Sequence, residues 1–148
     1  MINLIEGRIN LDTKNISIDS DYEHLNALNK KGLVEKRKDP GGGEPYFYAE
    51  VVAEGKKFGV IISLKEKKIE WLLLRWLDGP CTSKEWDDVS EEALKKEYRL
   101  LLNFVEKMVG LPPDNKRDRQ RGWRLAWGQV DVSYQSRDFV TQIYMKPW

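Results

Sequence analysis

Residues 46–76 read YFYAEVVAEGKKFGVIISLKEKKIEWLLLRW, and this stretch decides the fold. From 46 to 53 one set of apolar residues recurs at every second position, which is the period of a strand with one buried face. Residues 58–64 repeat that alternation after the turn Glu54-Gly55-Lys56. Residues 69–76 follow a second polar turn and are apolar on both sides, as is typical of a strand covered on both faces. The stretch therefore predicts a three-stranded antiparallel meander.

Two helices are predicted on either side of the meander. Residues 21–31 carry apolar residues at helical spacing, and Gly32 can close that helix. Residues 89–109 repeat apolar residues at the same period. Asp88-Val89-Ser90-Glu91 resembles a capping box at the start of this second helix, and Gly110 ends it as a glycine cap.

The rest of the chain adds further strands. Residues 2–18 predict a small hairpin, and residues 36–45, rich in proline and glycine, predict a loop. Residues 123–134 predict one long strand that Gly128 bends or bulges, and residues 139–145 predict the last strand. The sequence therefore predicts an α+β fold with a single antiparallel, meander-rich sheet of about six to seven strands, on which both helices (21–31 and 89–109) pack. Residues 1–148 are expected to form a single domain.

Bulk composition narrows the class of protein. Charged residues make up 33% of the 148 residues and hydrophobic residues 41%, which excludes a disordered chain and a membrane protein. The formal net charge of +1 provides no global field for nucleic acid or an anionic membrane. The first residues lack the pattern of a signal peptide, so we expect a cytoplasmic protein.

Catalytic equipment is sparse. His24 is the only histidine and Cys81 the only cysteine, and their positions suggest neither a nucleophile–base pair nor a zinc site. Gly41-Gly42-Gly43 do not lie between a strand and a helix, as a phosphate-binding loop would require. We therefore expect no enzyme activity, no catalytic residues, no metal and no cofactor. A small enzyme is the third alternative, and it would require a deep pocket lined by polar groups around His24 or the acidic residues near 85–92.

An acidic run and a basic run are the candidate binding features. The acidic run is Glu85, Asp87, Asp88, Glu91 and Glu92, which a divalent cation or a basic partner could use, although negative charge is also favoured at a helix start. The basic run is Lys116, Arg117, Arg119, Arg121 and Arg124, with Trp123 among them. Cations with an aromatic ring can hold single-stranded nucleic acid, which is the alternative to a loop that faces a protein partner.

Six tryptophans are the most unusual feature of the composition. We expect Trp71, Trp123 and Trp127 in the sheet core. We expect Trp76, Trp86 and Trp148 at an exposed binding surface, because tryptophan is enriched at interface hot spots.

The order of features from residue 46 onward resembles a known family. A meander is followed by Trp86-Asp87-Asp88 before a capped helix, then by a proline-containing loop, Trp127-Gly128-Gln129-Val130, a turn with Arg137-Asp138 and a final strand. This order resembles small α+β immunity proteins of bacterial polymorphic toxin systems. The resemblance implies a protein that neutralises a cognate toxin by direct binding and occlusion. The expected contacts are Glu85, Trp86, Asp87, Asp88, Glu91, Lys116, Arg117, Arg119, Arg121 and Trp148.

Overall fold

A computed structural model describes residues 1–11, 14–81 and 89–148. Within them the chain forms, in order, β1 (Ile2–Asn3), β2 (Arg8–Leu11), β3 (Lys14–Ser17), α1 (Tyr22–Lys30), β4 (Glu35–Arg37), β5 (Tyr46–Ala53), β6 (Lys56–Lys65), β7 (Lys68–Trp76), α2 (Glu91–Val109), β8 (Asn115–Arg117), β9 (Gln120–Arg124), β10 (Gly128–Gln135) and β11 (Val140–Pro147).

These strands form two antiparallel sheets. The large sheet has eight strands in the order β4-β5-β6-β7-β11-β10-β9-β8, and the small sheet has the order β1-β2-β3. The α+β class, the two helices and the meander of residues 46–76 are confirmed. The prediction of one sheet with six to seven strands is wrong, because the first three strands pair only with one another and the large sheet has more strands than expected.

Local capping explains where the helices begin and end. The side chain of Asp21 accepts a hydrogen bond from the N–H of His24 at the start of α1. The side chain of Ser90 accepts from the N–H of Ala93 at the start of α2, and Gly110 ends α2 in the left-handed conformation with a φ of 80°. The predicted glycine cap of α2 at Gly110 is confirmed. The N-terminal caps, Asp21 and Ser90, lie one or two residues after the positions that the sequence indicated.

The predicted long strand over residues 123–134 is wrong. The chain reverses between Leu125 and Gly128, whose backbones exchange hydrogen bonds of 2.8 and 3.3 Å, so β9 and β10 are antiparallel neighbours. This turn contains Trp127 in place of the polar residues that usually mark a turn. Its indole is half-buried and packs against the core, which explains why an apolar residue is tolerated there.

One core joins the two sheets and both helices. The inner face of the large sheet packs against α2, and Leu25 and Leu28 of α1 lie in the same core. The small sheet is attached by the indole N–H of Trp127, which donates to the carbonyl oxygen of Leu4 at 2.8 Å. Gly7 lies against the Trp127 ring, where a Cβ atom would come within 3.0 Å of two ring carbons.

Short, charged strands close both edges of the large sheet. The sequence did not predict either edge strand, β4 or β8, because they have three residues each and no apolar alternation. Charged, short edge strands discourage pairing with other sheets. Within the described residues, neither helix combines the length and the apolar composition required to cross a lipid bilayer.

Candidate functional site

The face of the large sheet that points away from α2 carries partly exposed aromatic side chains. Tyr46 and Tyr48 on β5, Trp71 on β7 and Tyr144 on β11 are all half-buried. The strand register places Tyr48, Ile61, Leu73 and Tyr144 in one row across four neighbouring strands. We call this surface the open face.

A channel runs along β6 on the open face. Its floor consists of Gly59, Ile61 and Ser63, which alternate on that strand. Its walls are larger side chains of the two flanking strands, Tyr46 and Tyr48 on one side and Trp71 and Arg75 on the other. The channel has a volume of about 670 Å³, within the usual size of a binding site. The wall strands are two strand spacings apart, about 9.5 Å.

Gly59 gives the channel its depth. A Cβ atom at this position would lie 2.8 Å from the Tyr48 hydroxyl oxygen and 3.2 Å from a ring carbon of the same residue. The Tyr48 side chain therefore leans over Gly59, and its hydroxyl donates to Oε1 of Glu50 at 3.2 Å. Burial, followed by the hydrogen bond to Glu50, raises the pKa of Tyr48. The hydroxyl thus keeps its proton and remains a donor over a wide pH range.

A β-bulge aims two adjacent side chains at the channel. Ser63 of β6 pairs with Trp71, but Leu64 pairs with Ile69, so Glu70 is an extra residue in β7. Successive strand residues normally point to opposite faces. At the bulge both Glu70 and Trp71 line the channel. Bulges often re-aim side chains beside functional sites, and this one places a carboxylate next to an indole.

Most charged groups of the channel already have partners. The Arg37 guanidinium lies 4.1 Å from the centre of the Tyr48 ring and donates to Oε2 of Glu35 at 3.0 Å. That hydrogen bond and the charge of Arg37 lower the pKa of Glu35. Lys57 Nζ lies 3.3 Å from Oε2 of Glu50.

Tyr144 extends the aromatic surface beyond the channel. Its ring centre is 6.0 Å from that of Trp71, a distance typical of aromatic pairs. Burial, followed by the negative charges of Glu70 and Asp131, raises the pKa of Tyr144. The carboxyl of Asp131 accepts from Nε2 of Gln129 at 3.1 Å. Tyr144 is therefore a neutral hydroxyl between two carboxylates.

The predicted acidic contacts fall mostly outside the described part of the chain. Glu85, Trp86, Asp87 and Asp88 lie outside the described residues. Glu91 is the first residue of α2 and is exposed.

The basic run forms the β8–β9 hairpin and is divided between two faces. Lys116 pairs with Arg121, and both line a depression beside α2 with Arg99. Arg117 pairs with Gln120 and lies on the side of the open face. The guanidinium of Arg119 is 5.9 Å from the centre of the Tyr134 ring. The run is therefore not one continuous basic surface.

The tryptophans differ in part from expectation. Trp123 is buried and its N–H donates to the carbonyl of Leu111, which confirms the predicted core position. The prediction that Trp76 is exposed is wrong, because it is 6% exposed and continues the inward alternation of Leu72 and Leu74. Trp71 is half-buried on the open face and not in the core.

Trp148 and Trp127 lie near the small sheet. Trp148 is 61% exposed, the Arg124 guanidinium is 4.6 Å from the centre of its ring, and its indole N–H donates to the carbonyl of Leu125. Trp127 is half-buried, with its N–H bonded to Leu4. Trp148 is thus the most exposed tryptophan among those that the structure describes.

His24 and Cys81 are not brought together. A ring nitrogen of His24, Nε2, lies 2.8 Å from the carbonyl oxygen of Asn15 and joins α1 to β3. Cys81 is fully buried, and its backbone N–H donates to Glu97. In the described ranges no three side chains among His, Cys, Asp and Glu form a group that could hold a metal ion.

The open face was not among the sites predicted from the sequence. Its aromatic residues alternate with buried residues along β5 and β7. This alternation is the signal in the sequence that could have indicated a second face with a binding role.

Comparisons of the chain with protein-family models, curated proteins and solved structures gave no match. The function is therefore inferred from the residues of the site.

Proposed function

We propose that this chain is a partner-binding protein whose open face contacts a protein target, and that it acts as an immunity protein that neutralises a cognate toxin by occlusion. The observation that carries the proposal is the row of half-exposed aromatic and aliphatic side chains across the open face. Tyrosine and tryptophan are enriched at the centres of protein interfaces.

The construction of the open face supports binding to a preformed surface. Tyr48, Trp71 and Tyr144 are carried by interior strands of the large sheet, so their backbones are held by neighbouring strands on both sides. A rigid aromatic surface loses little conformational entropy when a partner binds. Immunity by occlusion requires only such binding, with no chemical step.

Single-stranded nucleic-acid binding receives less support. It would need the basic residues 116–124 to form one strip that follows a phosphate backbone. Lys116 and Arg121 lie beside α2, whereas Arg117 lies on the opposite side of the sheet. Absence of binding to an oligonucleotide library at low salt would agree with the protein-partner proposal.

The test is co-purification with the product of the adjacent gene. We expect a stable complex and rescue of cells that express that product. Trp71→Ala should weaken the complex at least tenfold, because truncating a central interface tryptophan removes a hot spot. Leu100→Ala is the control, since it truncates an exposed apolar side chain on α2, away from the channel. A neighbour that is not toxic, or that does not bind, would refute the immunity proposal.

A further inference from the structure

The two ends of the channel carry opposite charges that are not neutralised locally. Glu70 lies beside Trp71 at one end, and Arg75 lies at the other end, four residues after Trp71 in β7. Within the described part of the chain neither residue forms a salt bridge, whereas Glu35 is paired with Arg37 and Glu50 with Lys57. The channel is therefore polarised along its length.

The Glu70 end favours a cation for two reasons. The bulge places the Glu70 carboxylate beside the Trp71 indole, and the face of an indole attracts cations. Asp39 and Glu44 also line the channel, so its side chains include four carboxylates and two guanidinium groups. Arg37, one of the two, is already bound to Glu35. A basic side chain would meet both an aromatic face and negative charge here.

The dimensions suit one extended chain. Strands in a sheet are about 4.8 Å apart, so the backbones of the two wall strands are about 9.5 Å apart and leave room for at most one extended chain between their side chains. Trp71 and Arg75 are four residues apart in a strand, which corresponds to about 13 Å. An extended ligand would span the same distance with four residues.

We propose that the channel binds an extended segment of the partner protein, with an arginine or lysine at Glu70 and Trp71 and an acidic residue about four positions away at Arg75. This inference rests on the proposed function and names the chemistry of the partner. A compact partner surface could contact the aromatic row, whereas an extended segment would also lie along β6 between the wall strands and place one charge at each end of the channel.

The test uses a displayed library of random eight-residue peptides, selected on the full-length protein. Enriched peptides should contain arginine or lysine four positions from aspartate or glutamate. On Glu70→Lys the basic preference should disappear, and the peptides selected on the parent protein should bind at least tenfold more weakly. Glu106→Lys is the matched control, because it makes the same charge change at an exposed position on α2 and should leave the selected peptides unaffected.

Three outcomes would overturn the inference: no enriched peptide, no basic preference, or the same preference on Glu70→Lys. Binding measurements with the full-length partner distinguish failure of this inference from failure of the proposed function. If Trp71→Ala abolishes binding of that partner but Glu70→Lys does not change it, the open face is the interface and the charged extended segment is wrong. If neither variant affects a complex that still forms, the open face is not the interface.

Discussion

The backbone N–H of Cys81 donates to Oε1 of Glu97 at 3.1 Å, although both residues are fully buried. The Thr141 hydroxyl donates to Oε2 of the same carboxylate at 2.7 Å, so Glu97 ties the chain after β7 and the start of β11 to α2. Gly79 also lies against this carboxylate, where a Cβ atom would overlap Oε1. A buried carboxylate is stable only when it is hydrogen-bonded in this way.

Glu97→Ala should lower the free energy of unfolding by about 3 kcal/mol, because it leaves buried donors without an acceptor and opens a cavity. Urea unfolding measures the change. Thr141→Val, which removes one donor and keeps the side-chain volume, should cost about 1 kcal/mol. An Ala variant as stable as the parent would show that the carboxylate has no anchoring role.

Alkaline pH should destabilise the protein through its tyrosines. Burial is the first cause that raises the pKa of Tyr48, Tyr98 and Tyr144. The unfolded chain loses these protons near pH 10 while the folded protein retains them. The stability that these neutral tyrosines give the folded protein is fully present below about pH 10 and is lost as pH rises through the pKa values of the folded protein. Urea midpoints measured from about pH 8 to about pH 11 should therefore fall at the upper end.

Tyr98→Phe should reduce that alkaline loss. The Tyr98 hydroxyl is buried and has no hydrogen-bond partner among the described residues, so its removal should cost less than about 0.5 kcal/mol at neutral pH. The variant and the parent should have similar urea midpoints at pH 7 and diverge above about pH 10. An equal fall in urea midpoint for the two proteins would show that Tyr98 does not cause the alkaline destabilisation.

Gly59→Ala should close the channel without unfolding the protein. The added methyl group would displace the Tyr48 ring, whose hydroxyl lies 2.8 Å from the new atom. We expect at least a tenfold weaker complex with the partner, and a change in the free energy of unfolding within about 1 kcal/mol. Calorimetric titration and urea unfolding measure the two effects. Tyr48→Phe/Gly59→Ala tests the cause, because loss of the hydroxyl relieves the closest contact and should restore part of the affinity.

Trp127→Phe should loosen the small sheet selectively. It keeps an aromatic ring against Gly7 but removes the hydrogen bond to the carbonyl of Leu4, at a cost of about 1 kcal/mol. Amide hydrogen exchange should accelerate in β1, β2 and β3 and stay unchanged in β5, β6 and β7. Uniform acceleration in all strands would instead indicate that the two sheets unfold together.

The sequence was informative where local signals are strong. The boundaries of α2 follow from Ser90 and Gly110, and the meander follows from the period of two in residues 46–76. The turn between β9 and β10 and the bulge in β7 depend on tertiary contacts that the sequence alone does not indicate. The turn that separates β9 from β10 contains Trp127, whose packing against the small sheet no local pattern indicates. The bulge that turns Glu70 towards the channel depends on the pairing of β6 with β7, which alternation alone cannot reveal.

The bond between Leu4 and Trp127 joins residues 123 positions apart. During synthesis at about 5–20 residues per second, roughly 6–25 s pass between the appearance of these two residues. Leu4, Ile9 and Ile16, which the finished protein buries, must wait through that interval without their final neighbours. The segment that forms β1, β2 and β3 leaves the ribosome well before Trp127 and is thus among the last to dock, so the nascent chain has a window in which a chaperone could bind it.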